Sequence, residues 1–401
     1  MAVVVDGYVA PGYEGVREAF VHNFEKGKEI GAACAAYVGG EKVVDLWGGY
    51  RSRKGKEPWL EDTMALVFST TKGVSSAAVA HAHARGLFSY DEPMATYWPE
   101  FAVGGKEDVT VRQVLSHQAG LCAIDVTMDL ETLADADAVA AAIECQAPSW
   151  EPGTQHGYHG VTLGWYESEL LRRVDPQHRT IGRYFADEIA GPLGLDFYIG
   201  LPDTVDRDRV ARVEGDWYRA RMIFNIGKMP GEFVRRFLDQ KSISARAFAN
   251  PEIVGIPARY NDPEMQAIEL PASNGIGTAR SIAKLYGVLA TGGEELGLDP
   301  DTLAALEEPA EPPTEGRFDE VLRTESAFSL GYCKPWPGFD FGSPRAFGTP
   351  GAGGSFGFAD PELGLGFAYV MNRMDFYLWN DPREVVLRDA VRAAASARTD
   401  G

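Results

Sequence analysis

Strand patterns lie at both ends of this chain, and a long helical stretch separates them. Near the start, residues 31–38 and 42–48 are typical of two strands joined by a Gly39-Gly40 turn. Strand patterns return at residues 327–333, 345–348, 355–359 and 365–371. Residues 75–270 consist mostly of helices and long loops. We therefore predict an α+β fold in which both chain ends form one antiparallel sheet, flanked by helices, with a mainly helical lobe inserted between them.

This arrangement also predicts a division of the chain. Residues 1–73 and 271–401 would form a discontinuous sheet lobe, and residues 74–270 a helical lobe. Helices are predicted at residues 12–27, 111–116, 130–146, 161–174, 182–190 and 382–395. The loop-rich segment 202–265 carries scattered aromatic residues, including Trp217 and Tyr218. Such a segment is often a lid or pocket wall, and a surface excursion without a role is the alternative.

Charge and targeting signals narrow the function classes. A net charge of −20 over 401 residues speaks against nucleic acid and anionic membrane surfaces as partners. The chain has no basic, apolar leader pattern and no apolar run long enough to span a membrane, so we expect a soluble cytoplasmic protein. The four cysteines lie far apart, which predicts reduced structural thiols. The sequence does not specify an oligomeric state.

Ser69 and Lys72 place a hydroxyl three residues before an amine, at the predicted start of a helix. Residues three apart share a helix face, so the two side chains could touch. A serine becomes a good nucleophile when a neighbouring base takes its proton, and lysine can do this if burial keeps it partly neutral. The alternative is a helix-starting serine beside a solvated lysine.

A rival nucleophile lies near the end of the chain. Residues 353–357 fit the Gly-x-Ser-x-Gly pattern around Ser355, but a hairpin pattern follows and no histidine comes later in the chain. The elbow arrangement, in which the serine precedes its histidine, is therefore excluded for Ser355. The seven histidines lack metal-ligand spacing, and we interpret them as structural and expect no metal. Their positions are 22, 81, 83, 117, 156, 159 and 178.

Tyr158 follows a Pro152-Gly153 turn and precedes a predicted helix. It could present its phenol to a cleft between the lobes, where a nearby ammonium would favour partial ionisation and proton relay to a leaving group. The alternative interpretation is an aromatic plug.

Together these motifs resemble those of the serine β-lactamase and penicillin-binding protein superfamily. The resemblance rests on Ser69-x-x-Lys72, the turn 115–121, Pro152-Gly-Thr with Tyr158, and the glycine-rich stretch 348–354, in the family's order. It covers about residues 15–395. Within the superfamily, the chain is most similar to the class C-like carboxylesterases, also called family VIII esterases. The resemblance implies a β-lactamase-like fold.

The resemblance also implies roles for individual residues. Ser69 would be the acylated nucleophile, and Lys72 and Tyr158 would act as one coupled base and proton relay. The N–H groups of Ser69 and Ala352 would form the oxyanion hole. No cofactor is implied.

Two departures from the family's motifs bear on the substrate. Gly160 stands where the family has an asparagine, and Thr349-Pro350-Gly351 replaces its Lys/His-Thr-Gly strand motif. The missing basic residue weakens the case for carboxylate-bearing substrates, although Arg345 could partly substitute for it. From the resemblance we expect Gly160, Arg345 and Gly351 to contact the substrate. We therefore expect small or medium-chain esters as substrates. A β-lactamase, a D-Ala-D-Ala-type peptidase or an acyltransferase of the same fold stays open, as does a non-catalytic binding protein.

Overall fold

The computed structural model describes residues 4–215 and 223–399, and its strands form one large sheet and two small ones. The strands are β1 (Val5–Val9), β2 (Gly31–Val38), β3 (Glu41–Gly49), β4 (Ala65–Leu66), β5 (Phe197–Tyr198), β6 (Ile276–Gly277), β7 (Phe318–Asp319), β8 (Thr324–Glu325), β9 (Phe347–Pro350), β10 (Phe356–Asp360) and β11 (Leu365–Met371). The large sheet has the order β1-β3-β2-β11-β10-β9, and all its pairs are antiparallel. Strands β2 and β11 join the two chain ends, so the predicted sheet is confirmed.

Both faces of this sheet are buried. Along β11, Phe367 and Tyr369 belong to one hydrophobic cluster, whereas Ala368 and Val370 belong to another. This alternation follows from the two-residue period of a strand. The helices Glu14–Glu25 and Pro382–Thr399 cover the first face, and the helix Ala279–Ala290 covers the second.

The helix Ala279–Ala290 lies unusually close to the sheet, and the sequence patterns did not predict it. A Cβ placed on Gly366 of β11 would lie only 2.0 Å from the backbone N of Gly287. Only glycine leaves room for such an approach. Alanines Ala33 and Ala35 of β2 face the same cluster, so small side chains line the contact.

The remaining helices lie in the chain between β4 and β7. They span Thr70–Ala84, Met94–Tyr97, Val111–Leu115, Leu130–Ala134, Ala136–Glu144, Thr162–Val174, Ile181–Phe185, Gly191–Leu193, Gly231–Leu238, Ile243–Arg246, Pro263–Ala267 and Pro300–Glu307, with a π-helical stretch at Ala186–Ala190. Short 3₁₀ helices span Pro99–Phe101, Arg207–Arg209, Ile223–Lys228, Glu252–Gly255, Pro257–Asn261 and Glu294–Leu296. The division into two lobes stays a prediction.

Two predicted elements were wrong. Residues 327–333 form a tight loop instead of a strand, because Gly331 has a φ of 84° and the chain folds back on itself. A bridge between Phe328 and Cys333 and a hydrogen bond from the N–H of Ser329 to the Tyr332 carbonyl close the loop. The predicted single helix 130–146 breaks at Asp135, which has extended backbone angles. Its carboxylate accepts hydrogen bonds from the N–H groups of Asp137 and Ala138 and so caps a second helix.

Segment 202–265 contains short helices joined by loops, and residues 216–222, with Trp217 and Tyr218, lie outside the described residues. Cys34, Cys122 and Cys333 are buried free thiols, whereas Cys145 is exposed. Among the helices of the described residues, none has the length and apolarity that crossing a membrane requires.

Candidate active site

Ser69 is the N-cap residue of the helix Thr70–Ala84 and follows β4 and a sharp turn. The preceding residue, Phe68, has a left-handed backbone with a φ of 47°, which is uncommon for a bulky residue. Such strain persists where the surrounding structure holds it in place. Ser69 is only half-buried, whereas Thr70, Thr71 and Lys72 are buried. The turn therefore presents one hydroxyl, that of Ser69, to the adjoining cavity.

Ser355 helps to hold this turn from below. Its hydroxyl donates a 2.7 Å hydrogen bond to the carbonyl of Val67 and lies 3.1 Å from Thr70 Oγ1. Gly351 lies at the same contact, since a Cβ there would be 2.2 Å from Ser355 Oγ. Ser355 is buried and does not line the cavity, which agrees with its interpretation as a packing residue.

The Lys72 amine contacts Ser69 from within the protein. Nζ donates hydrogen bonds to Ser69 Oγ at 3.1 Å, to the Gly160 carbonyl at 2.7 Å and to the Ala272 carbonyl at 3.0 Å. Burial lowers the pKa of Lys72 to about 7, although the negative charge of Glu167 opposes this effect. A neutral amine donates two hydrogen bonds and keeps one lone pair. With both carbonyls engaged, that lone pair faces the Ser69 hydroxyl.

Tyr158 closes the other side of Ser69. Its phenol faces the Ser69 side chain, which acts to lower the pKa of the phenol, and the Lys72 amine lies 4.8 Å from the centre of the ring. Burial raises the pKa of Tyr158 well above its ordinary value, and the interaction with Ser69 offsets only part of this. The expected partial ionisation is therefore wrong for the resting site, because desolvation, the largest influence on this pKa, favours the neutral phenol.

A buried carboxyl fixes the loop that carries Tyr158. Asp319 accepts hydrogen bonds from the N–H groups of Tyr158, Val321 and Leu322, at 3.2, 2.9 and 2.7 Å. Sequence reasoning missed Asp319, because an aspartate among polar neighbours gives no signal of burial. It links the Tyr158 loop to Leu322, which lines the cavity.

Two histidines support the same loop as neutral groups. The Nδ1 atoms of His117 and His159 lie 2.8 Å apart, and His159 Nε2 accepts from the N–H of Leu121 at 3.2 Å. His159 therefore carries its proton on Nδ1 and donates it to His117. Burial lowers both pKa values, that of His159 to about 3. Among the described residues, no group of three or more candidate ligands could hold a metal ion.

Ser69 and Ala352, whose N–H groups are the predicted oxyanion hole, both line the cavity. Within the described residues, neither N–H has a hydrogen-bond partner in the protein. Gly353 and Gly354, which follow Ala352, have φ values of 91° and 122°, and Arg383 donates a 2.6 Å hydrogen bond to the Gly353 carbonyl. These contacts fix the glycine turn beside Ala352. Two free donors near a nucleophile can stabilise a developing oxyanion.

The cavity above Ser69 has a volume of about 450 Å³ and is mainly apolar. Its aromatic walls are Phe68, Tyr158, Phe233, Phe237, Phe248, Tyr260, Phe328, Trp336 and Trp379. The loop-rich segment thus supplies part of the wall. Among the described residues that line it, Glu252 carries the only charged side chain.

The three residues predicted to contact substrate, Gly160, Gly351 and Arg345, differ in position, and Gly351 does not line the cavity. Gly160 lines the cavity, and a Cβ there would lie 2.4 Å from the Phe248 ring, so this ring fills the space beside position 160. Arg345 does not line the cavity and instead pairs with Glu307 through a 2.7 Å hydrogen bond. The suggestion that Arg345 substitutes for the missing basic residue is therefore wrong, because its guanidinium is engaged elsewhere.

Comparisons with known proteins show which family and which solved structures the chain is similar to. Residues 16–389 match the model of the beta-lactamase family. Esterase/beta-lactamase LipL of Mycobacterium tuberculosis (strain ATCC 25618 / H37Rv) is 33% identical over 386 residues, which cover 92% of this chain and 83% of the relative. A family VIII carboxylesterase structure aligns with a TM-score of 0.86 at 37% identity, covering 98% of this chain and 100% of that one. A penicillin-binding protein homologue from Caulobacter crescentus aligns with a TM-score of 0.84 at 36% identity, covering 98% and 100%.

Proposed function

The chain belongs to the beta-lactamase family, and from this premise we propose that it is a carboxylesterase that cleaves small and medium-chain esters through an acyl-enzyme on Ser69. One observation carries the proposal. The buried Lys72 amine contacts the Ser69 hydroxyl at the floor of an apolar cavity. A non-catalytic binding protein would not need a buried amine whose remaining lone pair faces a hydroxyl.

Acylation begins when the Ser69 oxygen attacks the ester carbonyl. Lys72 takes the hydroxyl proton as the new Oγ–C bond forms, and its pKa of about 7 leaves a large neutral fraction at neutral pH. The carbonyl oxygen becomes negative and accepts hydrogen bonds from the N–H groups of Ser69 and Ala352. Expulsion of the alcohol then leaves the acyl group on Ser69.

Tyr158 connects Lys72 to the leaving group. Its raised pKa keeps the phenol protonated, so it can donate to the alcohol oxygen while Lys72 returns a proton towards it. In deacylation, the same pair accepts a proton from the attacking water. Because Ser69, Lys72 and Tyr158 contact one another, we treat them as one unit.

The lining of the cavity favours neutral, apolar substrates. Burial of hydrocarbon against the aromatic walls is energetically favourable. Within the described residues, no lysine, arginine or histidine lines the cavity to pair with a substrate carboxylate. This supports esters over β-lactams, which carry a carboxylate. The name of the mycobacterial relative covers both activities, so nitrocefin turnover is the direct comparison. That the protein acts in the cytoplasm stays a prediction, which cell fractionation would test.

Hydrolysis of p-nitrophenyl butyrate by Ser69→Ala and Ser355→Ala tests the proposal. We expect Ser69→Ala to lose at least about 10³-fold in kcat/KM, since it removes the nucleophile. Ser355→Ala should retain far more activity, because it removes a packing contact. Near-normal hydrolysis by Ser69→Ala would refute the proposed function.

A further inference from the structure

A buried guanidinium that the proposed mechanism does not use lies against the glycine turn of the site. Arg383, near the start of the helix Pro382–Thr399, is 2% exposed. Its Nε and Nη2 atoms donate to the carboxylate of Asp381 at 3.0 and 2.7 Å. Nη2 also donates to the Gly353 carbonyl at 2.6 Å, and Nη1 donates to the Arg373 carbonyl at 2.8 Å. The planar group thus joins three segments of the chain in one arrangement.

The Gly353 carbonyl belongs to a peptide group that is held at both ends. This peptide joins Gly353 to Gly354, and the Gly354 N–H donates to the Gly351 carbonyl at 3.1 Å. Arg383 and, at 3.1 Å, the N–H of Asp375 donate to its carbonyl. A peptide group is planar and trans, so its C=O and N–H point in opposite directions. The guanidinium therefore fixes the direction of the Gly354 N–H on the far side of the peptide.

The next peptide group along these hydrogen bonds carries the predicted oxyanion donor. It joins Gly351 to Ala352, and its carbonyl is the one that accepts from Gly354. The Ala352 N–H lies on the opposite side of the same plane and, among the described residues, has no partner. Holding the carbonyl of this peptide thus fixes the direction of its free N–H. Two planar groups and the hydrogen bond between them connect the Arg383 guanidinium to the oxyanion donor.

Close packing keeps the turn in this arrangement. A Cβ on Gly354 would lie 2.6 Å from Asp381 Oδ2 and 2.7 Å from Arg383 Nη2. The ion pair therefore lies directly against the backbone of the turn, where only glycine leaves room for it. A side chain at position 383 without the guanidinium would remove both the hydrogen bond and this support.

We propose that Arg383 is a positioning residue of the reaction, which holds the Ala352 N–H in place through the two peptide groups of the glycine turn. This rests on the proposed function, and Arg383 does not line the cavity. As the Ser69 Oγ–C bond forms and the hydroxyl proton passes to Lys72, an electron pair of the C=O bond moves onto the carbonyl oxygen. The Ala352 N–H meets this negative charge in the tetrahedral intermediates of acylation and deacylation, but not in the bound ester. Loss of Arg383 should therefore lower kcat with little change in KM.

The test measures kcat and KM for p-nitrophenyl butyrate in Arg383→Met, with Arg388→Met as the matched control. Arg388 lies on the same helix, is also 2% exposed and pairs with Glu384 at 3.2 Å. Within the described residues, its hydrogen bonds go to Glu384 and Asn380 and not to the glycine turn. We expect Arg383→Met to lower kcat about 30-fold and to change KM less than about threefold. Arg388→Met should keep kcat within about threefold of the wild type, whatever stability it loses in thermal unfolding.

An alkyl trifluoromethyl ketone separates positioning from a general loss of stability. The ketone adds to Ser69 Oγ and leaves a negatively charged oxygen, so its affinity depends on the oxyanion donors as the transition state does. We expect its inhibition constant to rise in Arg383→Met by about the factor by which kcat falls, and to change less than about threefold in Arg388→Met.

An unchanged kcat and inhibition constant in Arg383→Met, or equal losses in the two variants, would overturn the proposal. If Arg383→Met does not fold, Arg383→Lys replaces it, because an ammonium lacks the planar fork that reaches Asp381 and the Gly353 carbonyl together. We expect kcat to fall about fivefold there, and values equal to those of the wild type overturn the proposal too. Activity that survives Ser69→Ala would instead refute the proposed function, so the two failures are distinguishable.

Discussion

Lys72 and Lys106 are both fully buried lysines, yet we assign chemistry to only one of them. Each amine donates to two backbone carbonyls, Gly160 and Ala272 for Lys72, Glu144 and Gln146 for Lys106. Each lies near an aromatic ring, at 4.8 and 4.9 Å from the ring centre, and burial lowers the pKa values to about 7 and 8. Lys72 also contacts the Ser69 hydroxyl, whereas both hydrogen bonds of Lys106 go to carbonyls. Burial keeps a lysine amine partly neutral, so that it can act as a base. It takes part in the reaction only if a hydroxyl group is in contact with it.

The largest expected effect separates the two lysines directly. Lys72→Ala should lower kcat/KM by about 10³-fold, because the Ser69 proton loses its acceptor. Lys106→Ala should keep activity within about threefold but lower the thermal midpoint by several degrees, because two buried carbonyls lose their donor. Esterase assays and thermal unfolding of both variants measure this. Equal activity losses in the two variants would mean that contact with Ser69 is not the deciding difference.

The double variant Ser69→Ala with Lys72→Ala sharpens the same point. We expect its loss of activity to match that of one single variant, since the two groups act as a unit. Measured kcat/KM values whose losses multiply would show that the residues contribute independently.

The next largest effect concerns Tyr158. Tyr158→Phe should lower kcat by about 10²-fold with little change in KM, since the ring stays and only the proton relay is lost. Tyr260 is a matched control, because it also lines the cavity but its hydroxyl bonds to Ser273 and the Val254 carbonyl. Tyr260→Phe should change kcat less than about threefold. Similar losses of kcat in Tyr158→Phe and Tyr260→Phe, measured by steady-state kinetics, would contradict the role of Tyr158 as a proton relay.

The pH dependence tests the protonation state of Lys72. Lysine must be neutral to accept the Ser69 proton, so kcat/KM should fall below a pH of about 7, approaching tenfold per unit. Lys106→Ala should leave this limb unmoved, because that amine takes no part in the reaction. A pH–rate profile that stays flat between pH 5 and about 7 would contradict Lys72 as the base.

The smallest effect concerns the carbonyls that orient Lys72. Gly160→Ala should lower kcat/KM about fivefold, because the new methyl group meets the Phe248 ring and displaces the carbonyl that accepts from Lys72. Adding Phe248→Ala should restore most of this loss. Kinetics of the single and double variants form a mutant cycle. Failure of the second change to rescue the first would show that Phe248 is not the obstruction.

The sequence predicted best where a local rule applies. The three-residue spacing of Ser69 and Lys72 predicted their contact, and short strand-like runs predicted β2 and β11 with their observed bounds. Other features depend on distant partners and have no local signal. Glu167 and Asp319 are ordinary acidic residues in the sequence, and only the fold buries them beside Lys72 and Tyr158.

The sequence misled where a pattern was ambiguous. Residues 327–333 alternate like a strand, but Gly331 bends them because its N–H bonds to the carbonyl of Leu115 in another element. The helix Ala279–Ala290 was missed although Thr278 caps it through the N–H of Ser281. The left-handed backbone of Phe68 could not be predicted, since bulky residues rarely adopt it.

The most direct test of the account is the site of covalent attachment. The protein is incubated with a serine-directed p-nitrophenyl phosphonate, digested and analysed by peptide mass spectrometry. We expect one adduct per chain, on Ser69, with loss of esterase activity in proportion to labelling and no adduct in Ser69→Ala. An adduct on Ser355 or another residue, or full inactivation with Ser69 unmodified, would contradict the assignment of Ser69 as the nucleophile.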